Sequence, residues 1–334
     1  MFAVPKTENE LTRDWFCSVL GRQVSRADSA RMGEAYGLVS TVYRCRLEGR
    51  GVPASVVVKL WTSERPVDLR EVPFYGEFAP GLGIRVPRCY GGALDGQHAV
   101  LVLEDLKDAR QGDCLDQLDE RGATIMARTV AALHATWWER LELSSAGWLP
   151  PMTVRTREWL LTRREQCLAT FGDGLPEWVR QMLDRVEAIN ERALELLADA
   201  PHTLLHADLH LDNVLFDGGP EHPILIDWAR AARGPAAIDL VELLFSMAPR
   251  WEPALTSYVE EMRFRGVDLD LAKLHRQIGG ALLRRFISAT CGLSRWEPKS
   301  ERERALVEVD QQRIFGAVEK WRDGINPAPW SRSS

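Results

Sequence analysis

Residues 206–216 read HADLHLDNVLF, and residues 223–235 read PILIDWARAARGP. His206, Asp208, His210, Asp212 and Asn213 interrupt an apolar stretch, and Asp227 closes the next apolar run. Buried carboxylates and amides are costly unless something pairs with them, so this stretch is either a well-satisfied polar turn or a cation site. NVLF has the composition of a short strand, DGGPEHP is dense in turn formers, and ILI is the returning strand. In an antiparallel hairpin the start of the first strand lies beside the end of the second. Asn213 and Asp227 therefore meet at one mouth. Two hard oxygen donors that leave room for phosphates and water suit Mg²⁺ rather than zinc. Asp208, five residues before Asn213, reaches the same mouth, where a carboxylate can orient a substrate hydroxyl and take its proton.

The rest of the chain divides by pattern. TENELTRDWFCSVL (7–20) is a short amphipathic helix. GLVSTVYRCRLEG, ASVVVKLW, PRCYGG and HAVLVLEDL are strands joined by short turns, which favours an antiparallel sheet. ERGATIMARTVAALHATWWERL (120–141) places Ile125, Thr129, Leu133 and Trp137 on one helical face, and PEWVRQMLDRVEAINERALELLAD (176–199) reads as another helix. The expected architecture is a sheet-rich N-lobe over residues 1–103 and a larger helical C-lobe over 104–334, an α+β class.

The pattern H-x-D-L-x-x-x-N, a hairpin and apolar-apolar-Asp matches the catalytic-loop and metal-loop signatures of kinase folds. LLHADLHLDNVLF (204–216) and ILIDWARAARGPAAIDL (224–240) resemble the aminoglycoside phosphotransferase and choline kinase-like families, with the bacterial ecdysteroid-kinase-like group the nearest in pattern. Ala207 stands where the family usually has glycine, and Trp228 follows Asp227 as is the family's habit. The resemblance implies a two-lobed protein-kinase-like fold, ATP as donor and Mg²⁺ held by Asn213 and Asp227.

It also implies roles in the N-lobe. Lys59, late in the apolar strand VVVKLW, matches the lysine that binds the α- and β-phosphates; taken alone it is a strand-end lysine reaching water. Its acidic partner is Glu71 in LREVPFYGEFAP, where the family has E-x-x-F-Y. Pro73 places Glu71 at a helix start or a kink and leaves Glu77 as the alternative. Gly33 and Gly37, with Ser40 at the strand start, are the candidates for a phosphate loop. Glu104-Asp105-Leu106 corresponds to the hinge whose backbone pairs with adenine. His206, His210 and Asp212 read as loop organisers, Asp239 as a helix start tied to the catalytic loop, and His134 as a core histidine.

Composition sets outer limits. A net charge of −6, with both signs spread along the chain, offers no basic face for nucleic acid and no polybasic membrane anchor. The six cysteines include no CxxC pair, so a cysteine-built zinc site is not expected. With no signal-peptide pattern and no membrane-length apolar run, the expected location is the cytoplasm. The leading reading is an ATP- and Mg²⁺-dependent kinase that phosphorylates a hydroxyl of a small molecule: an antibiotic, an aminoalcohol, a sterol-like compound or another metabolite. Near-equal numbers of basic and acidic residues over 250–323 do not suit a polycationic aminoglycoside. Trp137, Trp138, Trp148, Trp159, Trp251 and Trp296 favour a bulkier, partly apolar or choline-like alcohol. The alternative is a catalytically inactive kinase-fold binding or regulatory protein, against which stands the presence of Lys59, Asp208, Asn213 and Asp227. No A-P-E segment follows Asp227, which argues against a protein kinase, and no nucleophile motif supports a hydrolase.

Overall fold

The computed structural model describes residues 2–32, 40–152, 155–219, 221–247, 250–295 and 297–325. Gly33 and Gly37 lie outside the described residues. The chain forms two compact units: residues 1–111, 146–149 and 213–231 make the first, and residues 112–145, 150–212 and 232–334 make the second.

The first unit is built on a five-stranded antiparallel sheet of β1 (Arg26–Arg31), β2 (Ser40–Glu48), β3 (Ser55–Thr62), β4 (Cys89–Asp95) and β5 (His98–Glu104), in the order β1-β2-β3-β5-β4. Period-two alternation decides its two faces. Tyr43, Cys45 and Leu47 join Val56, Val58, Leu60, Val100 and Val102 in a core against Trp15 and Phe16 of α1 (Arg13–Leu20). Thr12 caps α1 by accepting the Trp15 N–H, and Gly21 ends it at φ 61°, a left-handed conformation that costs glycine little. Lys59 has the opposite parity on β3, in register with Val42 and Leu101. It therefore leaves the sheet on the other side from that core. The helix α2 (Glu71–Glu77) packs against β4 and β5. β1 was not expected: RADSAR has no apolar alternation and is mostly exposed, as charged edge strands are.

The hairpin of this unit pairs Val214 with Leu225, Leu215 with Ile224 and Phe216 with Pro223. A further short strand, Arg110–Gln111, pairs along Phe216 and Leu215, and two residues are too few to show in sequence.

The second unit is mainly helical. Among the described residues, its one strand pair joins His202–Leu205 to Ala232–Pro235, antiparallel. Helix Glu120–Thr136 starts at Asp119, whose side chain accepts the Gly122 N–H. Its buried residues include Ala123, Met126, Ala127, Val130, Ala131, Leu133 and His134; of the face expected through Ile125, Thr129, Leu133 and Trp137, Leu133 is buried and the other three are half-buried. Small alanines widen the buried face and let this helix pack on Glu252–Phe264. The segment 176–199 is two helices, Glu177–Asp184 and Val186–Leu197, divided at Arg185. Helix Leu271–Ile287 packs on the second of these. A Cβ at Gly280 would come within 2.9 Å of Leu196 Cβ, so glycine permits that approach. No described helix is long and apolar enough to cross a membrane.

Candidate active site

The first unit gathers one cation and two carboxylates. Lys59 Nζ donates to Glu71 Oε2 at 2.6 Å and to Asp227 Oδ1 at 3.2 Å. The three side chains differ in access: Glu71 is 2% exposed, Lys59 15% and Asp227 43%. Burial works against the Lys59 ammonium, but Glu71 and Asp227 outweigh it and hold its pKa above the usual lysine value. For Glu71 burial prevails and raises the carboxyl pKa, with Lys59 and the Trp228 N–H pulling the other way. Glu71 and not Glu77 is the lysine's partner. Pro73 falls in the first turn of α2, where its missing N–H has no helical acceptor to lose. Glu77 instead accepts the Trp148 indole N–H at 2.8 Å.

The hairpin brings Asn213 and Asp227 to the same end. Ile226 N–H donates to the Asn213 carbonyl at 3.0 Å, one residue before Asp227. Asn213 is buried. Asp227 has φ 59°, a left-handed conformation that a non-glycine residue pays to adopt. Trp228 is fully buried and stacks on Phe74 of α2, with ring centroids 4.2 Å apart and planes 11° apart. The stack fixes the chain on both sides of the Lys59 cluster. The amide and carboxylate are hard oxygen donors of the kind Mg²⁺ takes.

Ser40, half-buried at the start of β2, pairs with Trp61. The Glu104 carboxylate accepts from Arg85 Nη2 at 2.6 and 2.7 Å and from the Arg88 N–H. Its side chain is thus committed to the fold, as is that of Asp105, which holds Arg44 and Ser55. Leu106 is half-buried, and its carbonyl accepts the Ala109 N–H at 3.0 Å.

The second unit carries the loop around Asp208. Asp239, fully buried near the start of helix Ala237–Met247, accepts the backbone N–H groups of His206 at 2.8 Å and Ala207 at 2.9 Å. Behind it, His134 Nε2 lies 3.4 Å from Asp239 and Nδ1 lies 2.9 Å from the Tyr258 hydroxyl. Both expectations, Asp239 as loop tie and His134 as core histidine, hold. Ala207 has φ 60°, the conformation that glycine adopts without strain. Asp208 is half-buried, and its carboxylate lies 3.7 Å from His210 Nε2. Burial disfavours the charged imidazole of His210, but Asp208 and Cys114 outweigh it and push its pKa up to about 11.

Sequence reasoning missed a half-buried ion network in this unit. Arg285 Nε meets Glu242 at 2.8 Å, and its Nη2 also contacts Asp310. The Glu242 carboxyl is raised by burial against the pull of Arg285. A glutamate within the apolar run IDLVELLF was the available signal. Three of the tryptophans have partners of their own. Trp148 is taken by Glu77 and packs edge-on to Phe78, Trp159 lies against Arg155 and Arg163, and Trp251 packs with Phe245 and Trp321. Trp296 lies outside the described residues.

Residues 37–262 match the phosphotransferase enzyme family. The chain belongs to this family. No curated protein matches the sequence. Solved structures similar to this phosphotransferase share its fold at low identity. A putative aminoglycoside phosphotransferase from Ralstonia eutropha has a TM-score of 0.60 at 15% identity, covering 93% of this chain and 97% of that one. A microcompartment-associated aminopropanol kinase has a TM-score of 0.60 at 16% identity, covering 89% and 94%. A spectinomycin phosphotransferase, solved with ADP and spectinomycin, has a TM-score of 0.57 at 14% identity, covering 92% and 99%. The kinase-like, two-lobed α+β fold expected from the sequence is the fold of these neighbours.

Proposed function

We propose that this phosphotransferase transfers the γ-phosphoryl group of ATP, with Mg²⁺, to a hydroxyl of a small non-protein molecule. The observation that carries the reading is the Lys59–Glu71–Asp227 cluster, anchored on buried Glu71, with Asn213 at the same hairpin end. Phosphoryl transfer needs positioning and charge neutralisation more than covalent chemistry from the protein. Lys59 holds the donor phosphates, and Glu71 aims it. Asn213 and Asp227 hold Mg²⁺, which neutralises charge on the phosphate oxygens. The backbone of Glu104–Leu106 receives the adenine, and the Ser40 hydroxyl donates to the phosphates. Asp208, on a loop pinned by Asp239, orients the acceptor hydroxyl and takes its proton at the carboxylate. Residues 1–103 supply the nucleotide lobe and 104–334 the catalytic and acceptor lobe. The solved neighbours are named for aminoglycoside, spectinomycin and aminopropanol acceptors, which supports a small alcohol as acceptor class here. ADP release from Mg²⁺·ATP, measured across a panel of aminoalcohols, macrolides, sterols and aminocyclitols, tests the proposal. Acceptor-dependent ADP formation is expected, whereas failure of Mg²⁺·ATP to bind the folded protein would overturn it.

A further inference from the structure

Beside Asp208 lies a cluster that the phosphoryl-transfer reading does not use. Cys114 Sγ is 3.4 Å from His210 Nδ1, and one ligand atom each from Cys114, His210 and Asp212 fall within 4.8 Å of one another. All three residues are half-buried. We propose that Cys114, His210 and Asp212 form a binding site for a divalent transition-metal ion of the zinc class.

The geometry is close to what such an ion requires. With Zn–S of about 2.3 Å and Zn–N of about 2.0–2.1 Å, two tetrahedral ligand atoms stand roughly 3.5 Å apart. The sulfur and the ring nitrogen are already at that spacing. The other ring nitrogen, Nε2, faces the Asp208 carboxylate. A ligating imidazole commonly has such a carboxylate behind it, fixing its tautomer and orientation. Binding displaces one proton from the Cys114 sulfur and one from His210 Nδ1: the sulfur binds as thiolate, Nδ1 offers its lone pair, Nε2 keeps its proton towards Asp208, and both displaced protons go to solvent.

The ligands are also held in place before any ion arrives. The Cys114 N–H donates to Asp212 Oδ1 at 2.8 Å. A Cβ at Gly112 would come within 2.5 Å of the Leu211 carbonyl oxygen, so only glycine lets these two segments touch. Arg313 donates to the carbonyls of Cys114 and Asp116 at 2.7 and 3.0 Å. Preorganised ligands lower the ordering cost of binding. Arg302 opposes the ion, since its guanidinium sits 3.3 Å from Asp212 Oδ1. It is also bonded to Asp113 and is 46% exposed, so it can swing towards solvent. Sulfur and imidazole donors select zinc-like ions, whereas Mg²⁺ demands oxygen, so the two ions do not compete for one site.

The test uses the full chain, treated with chelator and free of Mg²⁺, nucleotide and acceptor, so its outcome is independent of the kinase reading. Titration with Co²⁺ is expected to give a near-ultraviolet thiolate-to-cobalt charge-transfer band that Zn²⁺ then bleaches by displacement. Cys114→Ser should abolish the band, and His210→Ala should weaken Co²⁺ binding by roughly 10-fold or more, as even outer-shell changes do at such sites. Unfolding midpoints of both variants verify that they fold. Absence of the band in wild type, or a band of unchanged intensity and affinity in folded Cys114→Ser, would overturn the proposal.

Discussion

Glu71→Gln removes a negative charge from the least accessible member of the Lys59 cluster while keeping its shape and one oxygen acceptor. At 2.6 Å and an effective dielectric of about 20, the lost attraction is on the order of 6 kcal/mol. Most of that is offset, because a neutral glutamine no longer carries the several kcal/mol of desolvation that burying a carboxylate costs. Asp227, at 3.2 Å, still holds the lysine. Removing one partner of a buried pair outright costs about 3–5 kcal/mol; with a second carboxylate and an amide oxygen remaining, about 1–3 kcal/mol is expected. Glu77→Gln changes only the acceptor of the Trp148 N–H and should cost less than about 1 kcal/mol. Urea unfolding followed by tryptophan fluorescence compares the two, and nucleotide titration should show the larger loss in Glu71→Gln. If Glu77→Gln is the damaging change, or Glu71→Gln alters neither stability nor nucleotide affinity, the pairing drawn from α2 is wrong.

Three further variants probe the catalytic loop and its support. Asp208→Asn should lower kcat for transfer by roughly 10²-fold or more, the scale of a general-base contribution, with ATP affinity unchanged; normal transfer, or lost ATP binding, contradicts its role. Ala207→Val forces a β-branched side chain into the left-handed conformation seen at φ 60° and should cost about 1–3 kcal/mol, whereas Ala207→Gly should stay within about 1 kcal/mol of wild type; calorimetry of the pair decides. Arg285→Met strands Glu242 and Asp310 and should destabilise by about 3–5 kcal/mol, a loss that Glu242→Gln in the same chain should partly restore.

The hairpin and the Asp239 tie were legible because they are local: strand, turn, strand and a fixed offset to the next helix. Lys59 was legible through the resemblance, as a lysine late in an apolar strand; taken alone it read as a strand-end lysine reaching water. Its choice of Glu71 over Glu77 was not legible, since that depends on where Pro73 falls in α2. β1 was hidden because a charged edge strand has no apolar period. Leu133 on the buried face of Glu120–Thr136 was legible, but the alanines beside it were not, because alanines weigh little in a hydrophobic count yet permit close packing. Glu242, Arg285 and Asp310, like Cys114 and His210, meet only through tertiary folding. No spacing in the sequence announces pairs that distant.

On the proposed function, Asn213 and Asp227 hold the metal that brings nucleotide to Lys59. Calorimetric titration of ATP with and without Mg²⁺, on wild type and Asp227→Ala side by side, tests it most directly. Tight binding by wild type is expected only with Mg²⁺, with loss of that metal dependence in folded Asp227→Ala and its survival in Asp208→Asn. Equal Mg²⁺-dependent binding of ATP by wild type and Asp227→Ala would contradict it.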